Sequence, residues 1–244
     1  MQEIPDASED ALLGGRVRFR QPATGYRVAI DPVLLAAACD ANAATALDLG
    51  CGAGAASLAY LARVPGVRAT GIEIDPALAG LARTNAAANG WTGRFAVETG
   101  DAAAFAGTGF DLVLCNPPYL EAARADPSPD PASRRADVEG GLPLAGWVAA
   151  ALKALKPRGT LVFVQRADRL ADLLGALAGA AGETVVFPLW PRAGTAAKRV
   201  IVRARKGIRT PMALAAGLVL HEADGRYTPE ADAILRDGKA LALV

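Results

Sequence analysis

Ala46-Leu47-Asp48-Leu49-Gly50-Cys51-Gly52-Ala53-Gly54 carries the strongest architectural signal in the chain. A short apolar run stops at three glycines set at every second position, the pattern of a buried strand, a tight turn and the start of a helix. Gly50, Gly52 and Gly54 remove three Cβ atoms, so backbone N–H groups can approach a ligand closely at a helix N-terminus. A glycine-rich turn with no ligand has the same local pattern. The next element bears on the choice. A second strand, Val67 to Ile72, ends in Glu73-Ile74-Asp75-Pro76, and a carboxylate about 20 residues beyond the glycines is placed to hold a pair of ribose hydroxyls.

The glycines do not choose the cofactor, because Gly50-x-Gly52-x-x-Ala55 followed by Glu73 also satisfies the looser dinucleotide fingerprint. Two further features do, Asp48 and the turn Asn116-Pro117-Pro118-Tyr119. Asp48 sits inside the strand just ahead of the first glycine, where an ionised group is costly unless a cationic group lies above it. The α-ammonium of S-adenosylmethionine is such a group, whereas the pyrophosphate of NAD would repel the carboxylate. A third strand, Arg94 to Glu98, leads to Thr99-Gly100-Asp101 on the same carboxyl edge. There Asp101 either accepts a hydrogen bond from an adenine amino group or stabilises its own turn. The strand Phe110 to Cys115 then runs into Asn116-Pro117-Pro118-Tyr119.

Taken in order, the stretch Asp48 to Gly54, Glu73 to Asp75, Gly100-Asp101 and Asn116-Pro117-Pro118-Tyr119 resemble the class I S-adenosylmethionine-dependent methyltransferases that act on amino nitrogens. The resemblance covers roughly residues 20 to 205. It implies a Rossmann-like α/β fold: a mostly parallel seven-stranded sheet, helices on both faces and an antiparallel final strand. More narrowly, the segment from Gly25 to Leu35, Gly-Tyr-Arg-Val-Ala-Ile-Asp-Pro-Val-Leu-Leu, looks like that of the bacterial valine-tRNA adenine-N6 methyltransferases. By this resemblance Tyr26 to Asp31 lie over the methionine end of the cofactor. Asp31 also reads as a helix N-cap, with Pro32 at the first helical position.

The acceptor chemistry follows from the Asn-Pro-Pro-Tyr turn. The lone pair of an exocyclic adenine amine is delocalised into the ring, so the site must localise it. The side-chain oxygen of Asn116 and the carbonyl of Pro117 can accept the two amine hydrogens, and the prolines stiffen the turn while donating no competing N–H. Tyr119 offers a face on which a flipped base can stack. Positioning carries most of the catalysis, and no strong general base is needed. A proline turn with a packing tyrosine is the plainer alternative.

From Thr45 onward strands and helices alternate, with helices at Ala53 to Arg63 and Pro76 to Asn89, which predicts right-handed βαβ units. Asp75 caps the second of these helices. The stretch from Glu121 to Gly141, rich in proline, aspartate and arginine, has no periodicity and reads as a loop beside the site. A helix from Leu142 to Leu155, a strand from Gly159 to Val164, a helix from Ala167 to Ala178 and strands Thr184 to Leu189 and Arg199 to Arg205 complete the sheet. Leu218 to His221 reads as a strand and Thr228-Pro229 as the start of a helix. One domain spans 1–244: an N-terminal segment (1–44), the cofactor-binding and catalytic core (45–206) and a C-terminal extension (207–244). Residues 1–11 read as a frayed polar lead, and Leu12 to Pro22 as a hairpin or strand whose Arg16, Arg18 and Arg20 face either solvent or substrate.

Net charge is +1, so attraction to a polyanion must come from a local patch. Between Glu183 and Glu222 there is no acidic residue, while Arg192, Lys198, Arg199, Arg203, Arg205, Lys206 and Arg209 supply seven cations. This predicts a phosphate-binding surface and, with the resemblance, tRNA as partner. Cys39, Cys51 and Cys115 are scattered and His221 is the single histidine, so no metal site is expected. No uncharged apolar run approaches about 18 residues and no basic apolar leader opens the chain, which predicts a cytoplasmic protein and no membrane partner. Oligomeric state stays open. Release factor glutamine methylation shares the Asn-Pro-Pro-Tyr turn, but residues before Thr45 are too few for the helical domain those enzymes carry. DNA adenine methylation would bring a target-recognition region, and an NAD-binding module is disfavoured by Asp48.

Overall fold

The computed structural model describes residues 7–23, 28–118, 120–121, 138–139 and 142–243. Tyr26, Tyr119 and most of the 121–141 loop lie outside these residues. The chain opens with a hairpin, β1 (Ala7–Leu12) and β2 (Val17–Pro22), paired antiparallel from Ala7 opposite Pro22 to Leu12 opposite Val17. Residues 7–12 are therefore a strand and not part of a frayed lead. Their backbone is tied to β2, and the Asp10 carboxylate accepts from Ser8 Oγ and Gln21 Nε2. Polarity hid this strand, because only alternate side chains of a hairpin need to be apolar.

The core follows as α1 (Asp31–Ala37), β3 (Thr45–Leu49), α2 (Ala55–Arg63), β4 (Arg68–Glu73), α3 (Pro76–Ala88), β5 (Phe95–Thr99) and β6 (Phe110–Cys115). A two-residue parallel pair comes next, β7 (Leu120–Glu121) with β8 (Val138–Glu139). Then come α4 (Leu144–Ala154), β9 (Leu155–Arg166), α5 (Leu170–Leu177), β10 (Ala181–Trp190), β11 (Arg199–Lys206), β12 (Ala213–Leu214), β13 (Leu218–Val219) and α6 (Pro229–Asp237). The main sheet has the order β12-β10-β11-β9-β6-β3-β4-β5, with β13 also paired to β10. Strands β5, β4, β3, β6 and β9 are mutually parallel, and β11 runs antiparallel to both β9 and β10. Seven strands and the antiparallel insertion are as the resemblance implies, while β12 and β13 extend the edge in parallel with β10.

Side chains of the central strands alternate between two apolar layers, as a sheet covered on both faces requires. Leu112 and Leu114 of β6 face the layer built with α1, α2, α3 and α6, whereas Val113 and Cys115 face α4 and α5. Helix α3 starts where predicted, with Asp75 Oδ1 accepting from Ala77 N at 2.8 Å, and Thr228 Oγ1 caps α6 by accepting from Ala231 N at 3.2 Å. No helix among the described residues is long and apolar enough to cross a membrane. Chain direction reverses its filling order between β3 and β6, so the crevice at their carboxyl ends is the topological switch point where open α/β sheets bind ligands.

Candidate active site

The glycine turn leaves β3 at this switch point. All three glycines have positive φ, 71° at Gly50, 55° at Gly52 and 89° at Gly54, a region that residues with a Cβ enter only at a cost. At two of the three the reason for the missing Cβ differs from the close-approach reading. A Cβ on Gly54 would stand 2.9 Å from Phe95 Cε1, and one on Gly50 would stand 2.9 Å from the ring of Trp147. At these two positions protein side chains fill the space, and only at Gly52 is it open. The amides are also largely engaged. Gly50 N and Cys51 N donate to Ile72 O, Gly54 N to Cys51 O, and Gly52 N to Glu73 Oε2 at 2.8 Å. A turn whose N–H groups point into its own fold does not offer a pyrophosphate cradle, which argues against NAD more directly than charge repulsion does.

Asp48 is 2% exposed, and the group that compensates it belongs to the chain. Its Oδ2 accepts from Ser57 Oγ at 2.7 Å and from Ser57 N at 3.2 Å in the first turn of α2. The expectation that only a cation would explain this carboxylate is thus corrected: a hydroxyl and a helix amide do so. Burial still dominates and pushes the carboxyl up to about 7, against the Ser57 hydrogen bonds that lower it. Folding therefore favours the protonated form. The stability this confers is complete below the unfolded value near 4 and is lost as pH rises through about 7, by roughly 4 kcal/mol in all. Asp48→Asn should match the wild type in unfolding free energy at pH 4 and exceed it at pH 8, measured by denaturant titration. A constant difference across that range would exclude a raised Asp48.

Glu73 closes β4 at 8% exposure. Its Oε2 holds Gly52 N, and its Oε1 accepts from Asp75 N at 2.9 Å, so one side chain braces both the glycine turn and the start of α3. Burial raises its carboxyl above the ordinary value, against those backbone hydrogen bonds. Each oxygen retains a further lone pair for a hydroxyl. The neighbouring Ile74 is 66% exposed on the same edge, an apolar face that no periodicity in the sequence marks. Asp101 is exposed and its Oδ1 accepts from Ala103 N at 2.8 Å, so its turn-stabilising role is present.

Asn116 leaves β6 beside the glycine turn. Its Oδ1 is buried and has no hydrogen-bond partner, one of three such side-chain atoms among the described residues. Pro117 behind it is buried. Buried acceptors are rarely left unpaired in native structures, so this one marks a place for an incoming donor. Another of the three, Gln165 Nε2, lies at the end of the neighbouring strand β9.

Two asparagines that the sequence reading did not single out fasten the hairpin to this edge. Asn85 Oδ1 accepts from Arg20 N at 2.7 Å, while its Nδ2 donates to Arg20 O at 2.8 Å and to Ala53 O at 2.9 Å. One turn along α3, Asn89 pairs in the same way with the backbone of Arg18. Their spacing of four on one helix face, opposite alternate residues of a strand, is the only signal that could have found them.

Asp31 does not cap its helix. Ile30 is already in the helical region and is the cap residue, without a side-chain bond, while Asp31 is the first residue of α1. Its Oδ2 accepts from Arg199 Nε at 3.1 Å. The seven cations also divide. Arg192 and Lys198 are exposed in the turn between β10 and β11, at the carboxyl edge, with Arg199 starting β11. Arg205 and Lys206 lie at the far end of β11, about 20 Å away at strand rise, where Arg205 pairs with Glu183 at 2.9 Å and Lys206 Nζ donates to Leu155 O. The single patch is therefore two, because a strand separates residues that are close in sequence. The hairpin bearing Arg16, Arg18 and Arg20 docks on α3, across the switch point from the β10–β11 turn. His221 bridges its Nδ1 to Pro191 O and stacks on Tyr227, a structural setting.

This sheet order, the glycine turn braced by Glu73, the open side at Gly52, exposed Ile74 and the unpaired Asn116 acceptor define a class I S-adenosylmethionine-dependent methyltransferase. The Methyltransferase small domain model matches residues 29–129. A tRNA1(Val) (adenine(37)-N6)-methyltransferase of Aeromonas hydrophila is 33% identical over 205 residues, 83% of this chain and 85% of the relative. Its counterpart in Porphyromonas gingivalis is 35% identical over 164 residues, 63% of this chain, which spans 64% of that relative's length. A release factor glutamine methyltransferase of Rhodospirillum rubrum is 42% identical over 92 residues, 34% of this chain and 28% of the relative. Among solved structures, one described as a predicted O-methyltransferase of Agrobacterium tumefaciens superposes with a TM-score of 0.72 at 27% identity, covering 87% of this chain and 98% of its own. The chain belongs to the family of the tRNA1(Val) (adenine(37)-N6)-methyltransferases.

Proposed function

We propose that this protein methylates the N6 amine of an adenine in tRNA, the adenine next to the anticodon of tRNA(Val) being the intended base. The observation that carries the reading is the buried, unpaired Asn116 Oδ1 at the switch point, one strand from the glycine turn. An amine hydrogen would satisfy that acceptor, and the Pro117 carbonyl of the same turn would take the second. Bound S-adenosylmethionine supplies an activated methyl group on its sulfonium. Glu73 would hold its ribose, Ile74 and Asp101 would flank its adenine, and Gly52 leaves room beside the turn. Asp48, engaged with Ser57, supports the turn from below. Tyr119 and Tyr26 are assigned by resemblance to the base and to the methionine end. The relative matched over 83% of this chain is named for tRNA, whereas the release factor enzyme of Rhodospirillum rubrum is matched over 92 residues.

The test is transfer of methyl from S-adenosylmethionine to unmodified tRNA, read as N6-methyladenosine by mass spectrometry. Methylation of release factor glutamine with no product in tRNA would replace the reading. The exposed Arg192 and Lys198 beside the site are assigned to phosphates. Lys198→Ala should therefore weaken tRNA binding across sequences and reduce the slope of log affinity against log salt by about 1, through the loss of one counterion-releasing contact. An unchanged slope removes Lys198 from the RNA path.

A further inference from the structure

We propose that Asp31 is a positioning residue for RNA, holding the Arg199 guanidinium at the substrate side of the carboxyl edge, and that it is not a ligand of the cofactor. This rests on the tRNA reading above. The two residues stand 168 apart in sequence and meet at 3.1 Å, with side-chain exposures of 11% for Asp31 and 32% for Arg199. The buried partner is thus the carboxylate, and the guanidinium keeps an exposed part. Arg199 Nη1 also donates to Lys198 O at 3.3 Å, so the planar fork is held from two directions. Fixing it beforehand reduces the rotamer freedom lost when a phosphate binds.

Location separates this role from a cofactor role. Helix α1 packs chiefly on α2 and, among the sheet strands, on β9 and β6. Arg199 pairs in register with Arg166 at the end of β9, the strand next to β6, so it starts two strands, about 10 Å, from the strand that carries Asn116. The glycine turn and Glu73 lie to the other side of β6, on β3 and β4. A carboxylate that served only to anchor α1 would gain modestly from a partner whose side chain is 32% exposed, because solvent-screened ion pairs contribute little to stability.

The experiment measures tRNA affinity at several salt concentrations, S-adenosylmethionine affinity by calorimetry, and thermal stability for Asp31→Asn, Arg199→Ala and the double variant. Each single change should weaken tRNA binding about 5- to 10-fold, and the double variant should bind no worse than Arg199→Ala, since both act through one guanidinium. Cofactor affinity should stay within about twofold, and Asp31→Glu, which keeps the charge, should restore much of the RNA affinity. Arg199→Ala alone keeps the proposal exposed if the Asp31 variants fold poorly: an unchanged salt slope in it overturns the assignment. So does a large loss of cofactor affinity in Asp31→Asn with tRNA binding intact, or strictly additive effects in the double variant. Wild-type protein that binds tRNA while Asp31→Asn binds it equally well sinks only this proposal. No tRNA binding by the wild type at low salt sinks the tRNA reading with it.

Discussion

Asn116→Ala is expected to lower turnover about 10²- to 10³-fold, while affinity for S-adenosylmethionine and the denaturation midpoint stay near wild type. The magnitude is that of removing one preorganised polar group from a water-excluded site. The amine of adenine gains positive charge as its nitrogen bonds to the methyl carbon, so a fixed acceptor on its hydrogen is stronger in the transition state than before it, and the loss falls on kcat. Stability is spared because Oδ1 has no partner in the folded chain to lose. Asn116→Asp retains an acceptor at the same position and should keep more activity than Asn116→Ala. Methylation by Asn116→Ala at the wild-type rate would show that the amine is held by other groups.

The second large effect is on folding. Gly54→Ala should cost about 2 to 5 kcal/mol: roughly 1 to 2 for placing an L-residue at φ 89°, and roughly 1 to 3 for driving a Cβ to 2.9 Å from Phe95. Phe95 is 3% exposed and packs in the layer with α2 and α3, so it has no open space to retreat into. Gly52→Ala meets no atom within 4 Å and has φ of 55°. Its cost to stability is confined to the backbone term, about 1 to 2 kcal/mol. Its Cβ, however, would enter the open side of the turn, so cofactor affinity should fall more in Gly52→Ala than stability does. Paired denaturant titration and calorimetry on the two variants check this crossover. Equal destabilisation with equal cofactor affinity would mean that the two glycines serve the same purpose.

Much of the site depends on residues whose roles read differently in isolation. Asp31-Pro32 and Asp75-Pro76 are the same dipeptide ahead of an apolar run, and both read as caps. Asp75 is one, with β-region backbone and bonds to Ala77 and Leu78. Asp31 is not, because Ile30 has already turned into the helix and the carboxylate has a partner on β11. Local pattern carries the cap signal, and it carries no record of an arginine far along the chain.

The alternation of strand and helix, the glycine turn, and the order of the loops that reach the carboxyl edge are legible in the amino-acid order alone. These depend on apolar periodicity, on positive-φ glycines and on proline, all of which act over a few residues. Parallel βαβ connectivity then sends the glycine turn, Glu73, Asp101 and Asn116 to one edge whatever the packing details. What those residues touch is set by the folded packing. Ser57 compensates Asp48, Phe95 and Trp147 occupy the space left by Gly54 and Gly50, and Glu73 takes the Gly52 amide. It also divided one run of cations between two ends of a strand and set Asp31 against Arg199. The physical reason is that burial, hydrogen-bond pairing and steric fit are settled between groups tens to hundreds of residues apart, and chain spacing does not encode their distance until the sheet has closed.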